Sequence, residues 1–206
     1  GAYVVHTLRW LLRDLTTGAE VTIPEVVEYE FDTSGTWLAY AVSSTDAAKD
    51  GAFVRRLADG SVTTLRTGKG HYKSLTFDRE GRQIAFLSDQ AEYEKPVSPY
   101  RLYVARLTAT PAPSGAAAAA AKPAAAGQPA APPTPGEGVA VELVSAATPG
   151  MPSGMVVADA VAPRFSRDGT QLVLATGKPP APPADPDDKT PAPLAVDLWS
   201  SKDQII

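Results

Sequence analysis

The sequence predicts an all-β chain built from repeated four-stranded antiparallel units, and three observations predict it. Three segments share one pattern: FDTSGTWLAYAV from Phe31, FDREGRQIAFLS from Phe77 and FSRDGTQLVLAT from Phe165, each a Phe, an Asp or Ser, two polar residues, Gly and an apolar run. The Asp or Ser side chain can bond the backbone two residues on, and Gly35, Gly81 and Gly169 supply the positive φ of a tight hairpin. The runs after each turn, such as Trp37 to Val42 and Ile84 to Leu87, are nearly continuous in apolar character, which means burial on both faces. Finally, 14 of the 20 prolines fall in Pro111 to Pro135 and Pro179 to Pro193, which separates core-forming sequence from sequence that buries nothing.

Taken in order, Arg9 to Leu15 and Glu20 to Ile23 read as the last two strands of a unit whose first half is missing. Val27 to Phe31 and Trp37 to Val42 form the first hairpin of a complete unit. Ala52 to Leu57, the Asp59-Gly60 turn and Val62 to Arg66 form its second. Ser74 to Phe77, Ile84 to Leu87 and Leu102 to Leu107 open the next unit. Ala162 to Phe165, Gln171 to Thr176 and Leu194 to Trp199 belong to a last one. Phe31 and Phe77 lie 46 residues apart, close to the ~40 to 45 of a four-stranded propeller blade. The expected fold is therefore a β-propeller of four-stranded antiparallel blades, incomplete at about three and a half blades by this strand count, against the ~4 to 8 of a closed ring. An incomplete stack leaves apolar faces uncovered and predicts self-association or partial unfolding.

Residues 109–138 hold the run Ala116 to Ala121 and only two charges, Lys122 and Glu137, and read as a disordered insert between a third and a fourth strand. Residues 178–193 repeat that composition around Asp185, Asp187 and Asp188 and read as a Pro-rich loop. Antiparallel order puts the insert at the end of the glycine turns and the loop at the opposite end. The Gly/Pro-rich Thr148 to Pro163 region reads as extra length within one blade.

With 19 basic and 23 acidic side chains the formal charge is -4, which argues against a nucleic-acid footprint. No apolar run reaches the ~18 residues of a membrane span. The absence of Cys removes disulfides, thiolate catalysis and Cys-based metal sites, and is compatible with export and with the cytoplasm alike. The opening Gly1-Ala2-Tyr3 shows neither an initiator Met nor a leader and suggests a start inside a longer protein.

No Ser satisfies the Gly-x-Ser-x-Gly elbow of an α/β-hydrolase; Gly150-Met151-Pro152-Ser153-Gly154 has the wrong spacing and reads as a turn. His6 and His71 are the available general bases, and the sequence supplies neither with a partner carboxylate and nucleophile. His71, in Gly68-Lys69-Gly70-His71, reads as a polar loop residue or, alternatively, as a substrate or domain contact. Gly68-Lys69-Gly70 lacks the residues of a phosphate loop. Asp185, Asp187 and Asp188 resemble half a calcium loop without its Gly and Glu. Glu28 and Glu30 alternate with Val27, Tyr29 and Phe31 and face away from them; they are either structural charge or a reader of a substrate's amino terminus. Trp37, Tyr40, Phe77 and Phe86 follow strand spacing and read as core. We assign no catalytic, cofactor-binding or metal-ligating residue from the sequence.

The repeat, with LYVARL at Leu102 to Leu107, resembles the propeller repeats of TolB-like proteins and of prolyl oligopeptidase-family serine peptidases. More specific are RDLTTGAEVTIPEVVEYEFDTSGTWLAYAVSS from Arg13, GHYKSLTFDREGRQIAFLSDQAEYEKP from Gly70, SAATPGMPSG from Ser145 and VDLWSSKDQII from Val196. Together these resemble the N-terminal propeller of bacterial members of the peptidase family. The last stretch departs from it at Ser200 to Gln204, where Trp199 would be followed by Lys-Asp-Pro. The resemblance implies a seven- or eight-bladed propeller ahead of an α/β-hydrolase domain with a Ser-Asp-His triad, which would be this chain's partner in the same parent. It also implies a peptide substrate, a periplasmic or secreted location, and a non-catalytic role shielding or gating the hydrolase site. The alternative is a TolB-like propeller that acts as a protein-binding scaffold.

Overall fold

The computed structural model describes residues 9–107 and 138–180, and its regular structure there is antiparallel β-sheet with one short 3-10 turn at Gln90–Glu92. β1 (Arg9–Arg13) and β2 (Glu20–Pro24) form a two-stranded hairpin. β3 (Val26–Phe31), β4 (Trp37–Val42), β5 (Gly51–Arg56) and β6 (Val62–Thr67) make one four-stranded sheet in sequence order. β7 (Tyr72–Phe77), β8 (Gln83–Ser88), β9 (Arg101–Arg106) and β10 (Val141–Val144) make a second. The β9–β10 pairing places the insert between a third and a fourth strand, as its position in sequence implied; residues 108–137 themselves lie outside the described residues.

The continuous apolar runs are buried on both sides, and their alternation divides the interior into layers. Leu38, Tyr40 and Val42 face the β1–β2 hairpin, with Leu12 and Ile23 packed on them. Trp37, Ala39 and Ala41 point the other way and join Ala52, Val54 and Leu65 against Tyr72, Ile84, Phe86 and Tyr103 of the second sheet. The far side of that sheet, Ala85, Leu87, Leu102 and Val104, packs against Val157, Phe165 and Leu172. Side-chain alternation along a strand requires this division. The small Ala residues let the sheets approach, and the aromatic side chains fill the remaining space. The first strands of the successive units meet: β3 contacts β7, and β7 contacts β12 (Arg164–Phe165).

The three repeats share one turn geometry. Asp32, Asp78 and Ser166 each exchange backbone bonds with the turn: Trp37, Gln83 and Gln171 carbonyls accept from their amides, and their own carbonyls accept from Gly35, Gly81 and Gly169. The side chain then closes the loop. Asp32 Oδ1 accepts from the Trp37 N–H at 2.7 Å, Asp78 Oδ1 from the Gln83 N–H at 3.0 Å, and Ser166 Oγ from the Gln171 N–H at 2.9 Å. The three glycines sit at φ of 70°, 65° and 70°, where only Gly is unstrained. Successive turns also stack: a Cβ on Gly81 would stand 2.7 Å from Asp32 Oδ2, and one on Gly169 3.0 Å from Asp78 Oδ2. Asp32 and Asp78 are accordingly buried.

The last unit differs from expectation. The strand expected over Gln171 to Thr176 is broken: β13 (Leu172–Val173) pairs with β12, whereas β14 (Thr176–Gly177) pairs with β11 (Val156–Val157). The Thr148 to Pro163 region is therefore more than spare length. Val156 and Val157 are buried, and Met151 packs on the same core, so this segment competes for the backbone of Thr176 and Gly177. Of residues 178–193, only 178–180 are among those described; the strand expected over Leu194 to Trp199 and Asp185, Asp187 and Asp188 lie outside them.

Candidate functional site

Strand direction brings the connection from β6 to β7 and the loops β4–β5 and β8–β9 to one end of the two sheets, opposite the glycine turns. Two buried carboxylates organise this end. Asp50, just before β5, accepts from the Gly70 N–H at 3.3 Å, and Asp89, just after β8, accepts from the His71 N–H at 2.7 Å. Gly68 N–H also donates to the Asp50 carbonyl. Gly70 is required by close approach, because a Cβ there would lie 2.8 Å from the Gln90 Cα. Gly68-Lys69-Gly70-His71 is thus a pinned joint between the sheets.

Asp89 Oδ2 also lies 2.8 Å from His71 Nδ1; the Asp89 side chain is 5% exposed and that of His71 62%. A carboxylate acceptor selects the proton on Nδ1 and leaves Nε2 as the other ring nitrogen of a largely exposed side chain. The His71 ring stands edge-on to Tyr93, 5.4 Å away, beside an open groove lined by Lys69, Gln90, Tyr93, Glu94 and Lys95. Arg66 buttresses the groove by donating from Nε to Gln90 Oε1 at 2.8 Å while lying 4.3 Å over the Tyr103 ring. Arg101 ties the loop to the sheet by bridging Glu92 and Glu142, and the Glu92 carboxyl is held below its ordinary value by its bonds to Lys95 and Arg101. Burial pushes the Asp50 carboxyl above its ordinary value despite the backbone bonds from Gly70 and Ser44.

Chemically, His71 and Asp89 are a base and the carboxylate that orients it; among the described residues no hydroxyl bonds to His71 to complete a nucleophilic set. Such a pair can accept a hydrogen bond from a peptide N–H, and the flanking Lys69 can meet a carboxylate. Among the described residues no group of three or more His, Asp or Glu is placed to hold a metal ion. No helix of the described residues is long and apolar enough to cross a membrane.

The other residues singled out from the sequence separate by role. Glu28 accepts from the Ser74 N–H at 2.9 Å and the Leu75 N–H at 2.8 Å, so it clamps the first strands of the two sheets together. Ser74 has φ of 58° within an irregular stretch of β7, a left-handed conformation that a Ser adopts at a cost and that turns consecutive amides toward Glu28. Glu30 is exposed. Ser153 lies in the exposed turn closed by the Met155 N–H bond to the Pro152 carbonyl. Trp37, Tyr40 and Phe86 are buried, and Phe77 packs on the core. His6 lies outside the described residues.

Sequence reasoning missed Asp89 as the partner of His71. Its signal was an Asp directly after the last residue of β8, Ser88, in the same unit as the His that enters β7. It also missed Lys73, which bonds Asp159 and lies 4.6 Å over the Tyr100 ring. The Lys73 bond holds the Asp159 carboxyl below its ordinary value. No family model and no curated protein matches the chain.

Proposed function

We propose that this chain is the non-catalytic propeller part of a prolyl oligopeptidase-family serine peptidase, and that it shields a separate α/β-hydrolase site. The observation that carries the proposal is the stacking of equivalent units, with the buried turn Asp of one under the turn Gly of the next. Sheets packed face to face with their first strands together support an arrangement of blades around an axis. The peptidase assignment rests on the sequence resemblance. In this account the triad lies in the hydrolase domain, and the stack excludes folded proteins while admitting extended peptides. The end carrying His71, Lys69 and Tyr93 offers polar groups to a peptide or to the hydrolase surface.

The test uses the product of the complete gene, offered one scissile sequence either in a short peptide or within a folded protein. We expect cleavage of the peptide alone. Glu28→Ala, which removes the clamp between first strands, should raise cleavage of the folded protein at least several-fold without accelerating cleavage of the peptide. Equal cleavage of both substrates by the unmodified enzyme would refute the shielding role. A product with no serine peptidase activity that retains a protein partner would favour the protein-binding scaffold instead.

A further inference from the structure

Two departures from the repeat meet at one surface. Gly81 and Gly169 each lie against the carboxylate of the preceding turn, Asp32 and Asp78, whereas a Cβ on Gly35 would meet nothing within 4 Å. The repeat Phe follows the same division. Phe77 packs on the core between the sheets and Phe165 on the next core, but Phe31 remains 43% exposed. Beside Phe31 lie Tyr29, 44% exposed, and Trp10, 38% exposed, with the Trp10 and Tyr29 rings 4.6 Å apart edge to face. These aromatics line an apolar cleft of about 190 Å³ between β1 and β3. Among the described residues β1 is paired only with β2, and no described strand lies along its second edge.

We propose that this surface binds one β-hairpin of the same repeat type. Its second strand would pair antiparallel with the second edge of β1, as β8 pairs with β9. The Asp of its turn would lie over Gly35, and its apolar face would cover Phe31 and Tyr29. Continuity with the existing interfaces selects this occupant. β1 and β2 precede β3 as β5 and β6 precede β7, so the place left open is that of a first hairpin. At the two complete positions the turn carboxylate and the packed Phe occur together, and here both are missing. The inference rests on the repeat stack and is independent of any peptidase activity.

The test is titration of the whole chain, at a concentration where it sediments as a monomer, with a backbone-cyclised peptide of its own residues 72–89. This hairpin is apt because Phe165 already packs on the Ala85 and Leu87 face of its counterpart in the protein. Circular dichroism of the peptide first establishes its β-structure. We expect saturable amide shifts at Leu11, Tyr29, Phe31 and Gly35, with a change in Trp10 emission. D78A in the peptide should weaken binding about tenfold and abolish the Gly35 shift. F31D in the protein should abolish binding, while an unchanged unfolding midpoint shows that it still folds. A structured hairpin that leaves those amides unmoved, or moves those around Val161 and Val173 instead, would overturn the proposal. So would self-association that buries Trp10 and Phe31, which would make a second copy the occupant.

Discussion

Asp32→Ala removes the side chain that closes the first repeat turn and underlies the next, and its cost can be worked from the contacts. The carboxylate accepts from the Trp37 N–H at 2.7 Å and from the Ser34 N–H at 3.1 Å, and Ser34 Oγ donates to it as well. Trp37 is buried, so its amide would lose its partner without gaining water, a loss of about 1–3 kcal/mol. The Ser34 groups are nearer solvent and rehydrate, adding less than about 1 kcal/mol. The total is about 1–4 kcal/mol. Ser166→Ala removes the equivalent bond to Gln171 in an exposed turn, where water replaces it, and should cost below about 1 kcal/mol. Asp32→Asn keeps one acceptor for the Trp37 N–H and should recover about half the loss. Urea unfolding of the three variants reads these differences directly. Equal effects of Asp32→Ala and Ser166→Ala would refute the claim that burial beneath the following turn is what makes the Asp matter.

Three other outcomes follow from the same structure. Tyr103 buries a hydroxyl that has no partner among the described residues, so Tyr103→Phe should raise stability by up to about 1 kcal/mol in urea unfolding, because it removes an unmet desolvation cost. Asp50 has a carboxyl raised by burial, so its contribution is fully present below the unfolded value of about 3.9 and is lost as pH rises through the folded one. Asp50→Asn, neutral throughout, should therefore gain stability relative to the parent between pH 4 and pH 7 in unfolding titrations; a constant difference would contradict this. Replacing residues 108–137 by a tight turn should change the unfolding free energy by no more than about 1–2 kcal/mol, because Gly138 N–H already bonds the Arg106 carbonyl and loop entropy grows slowly with length.

What the sequence made legible was whatever local chemistry decides. Trp37–Val42 is the strand that its unbroken apolar run predicts, since only a strand covered on both faces buries every residue. The glycine turns were equally plain, because the Asp-x-x-Gly spacing satisfies its own backbone. The broken strand after Gln171 was not, since its partner Val156–Val157 lies in a Gly/Pro-rich stretch with no strand pattern of its own. Glu28 showed its facing in the alternation of β3, but its role depends on two amides of a left-handed Ser74 across the interface. His71 stood out by type, and Asp89 acquires meaning beside it only through the β7–β8 register that pairs Tyr72 with Ser88.

The proposed division of labour between a shielding stack and a separate catalyst is tested most directly by a fluorophosphonate serine probe, applied to this chain and to the product of its complete gene, with the labelled peptide mapped by mass spectrometry. We predict that the chain stays unlabelled and that the complete product is labelled on a Ser beyond residue 206. Stoichiometric labelling of a Ser within residues 1–206, lost when that Ser is replaced, would contradict the account, as would a complete product with no reactive Ser.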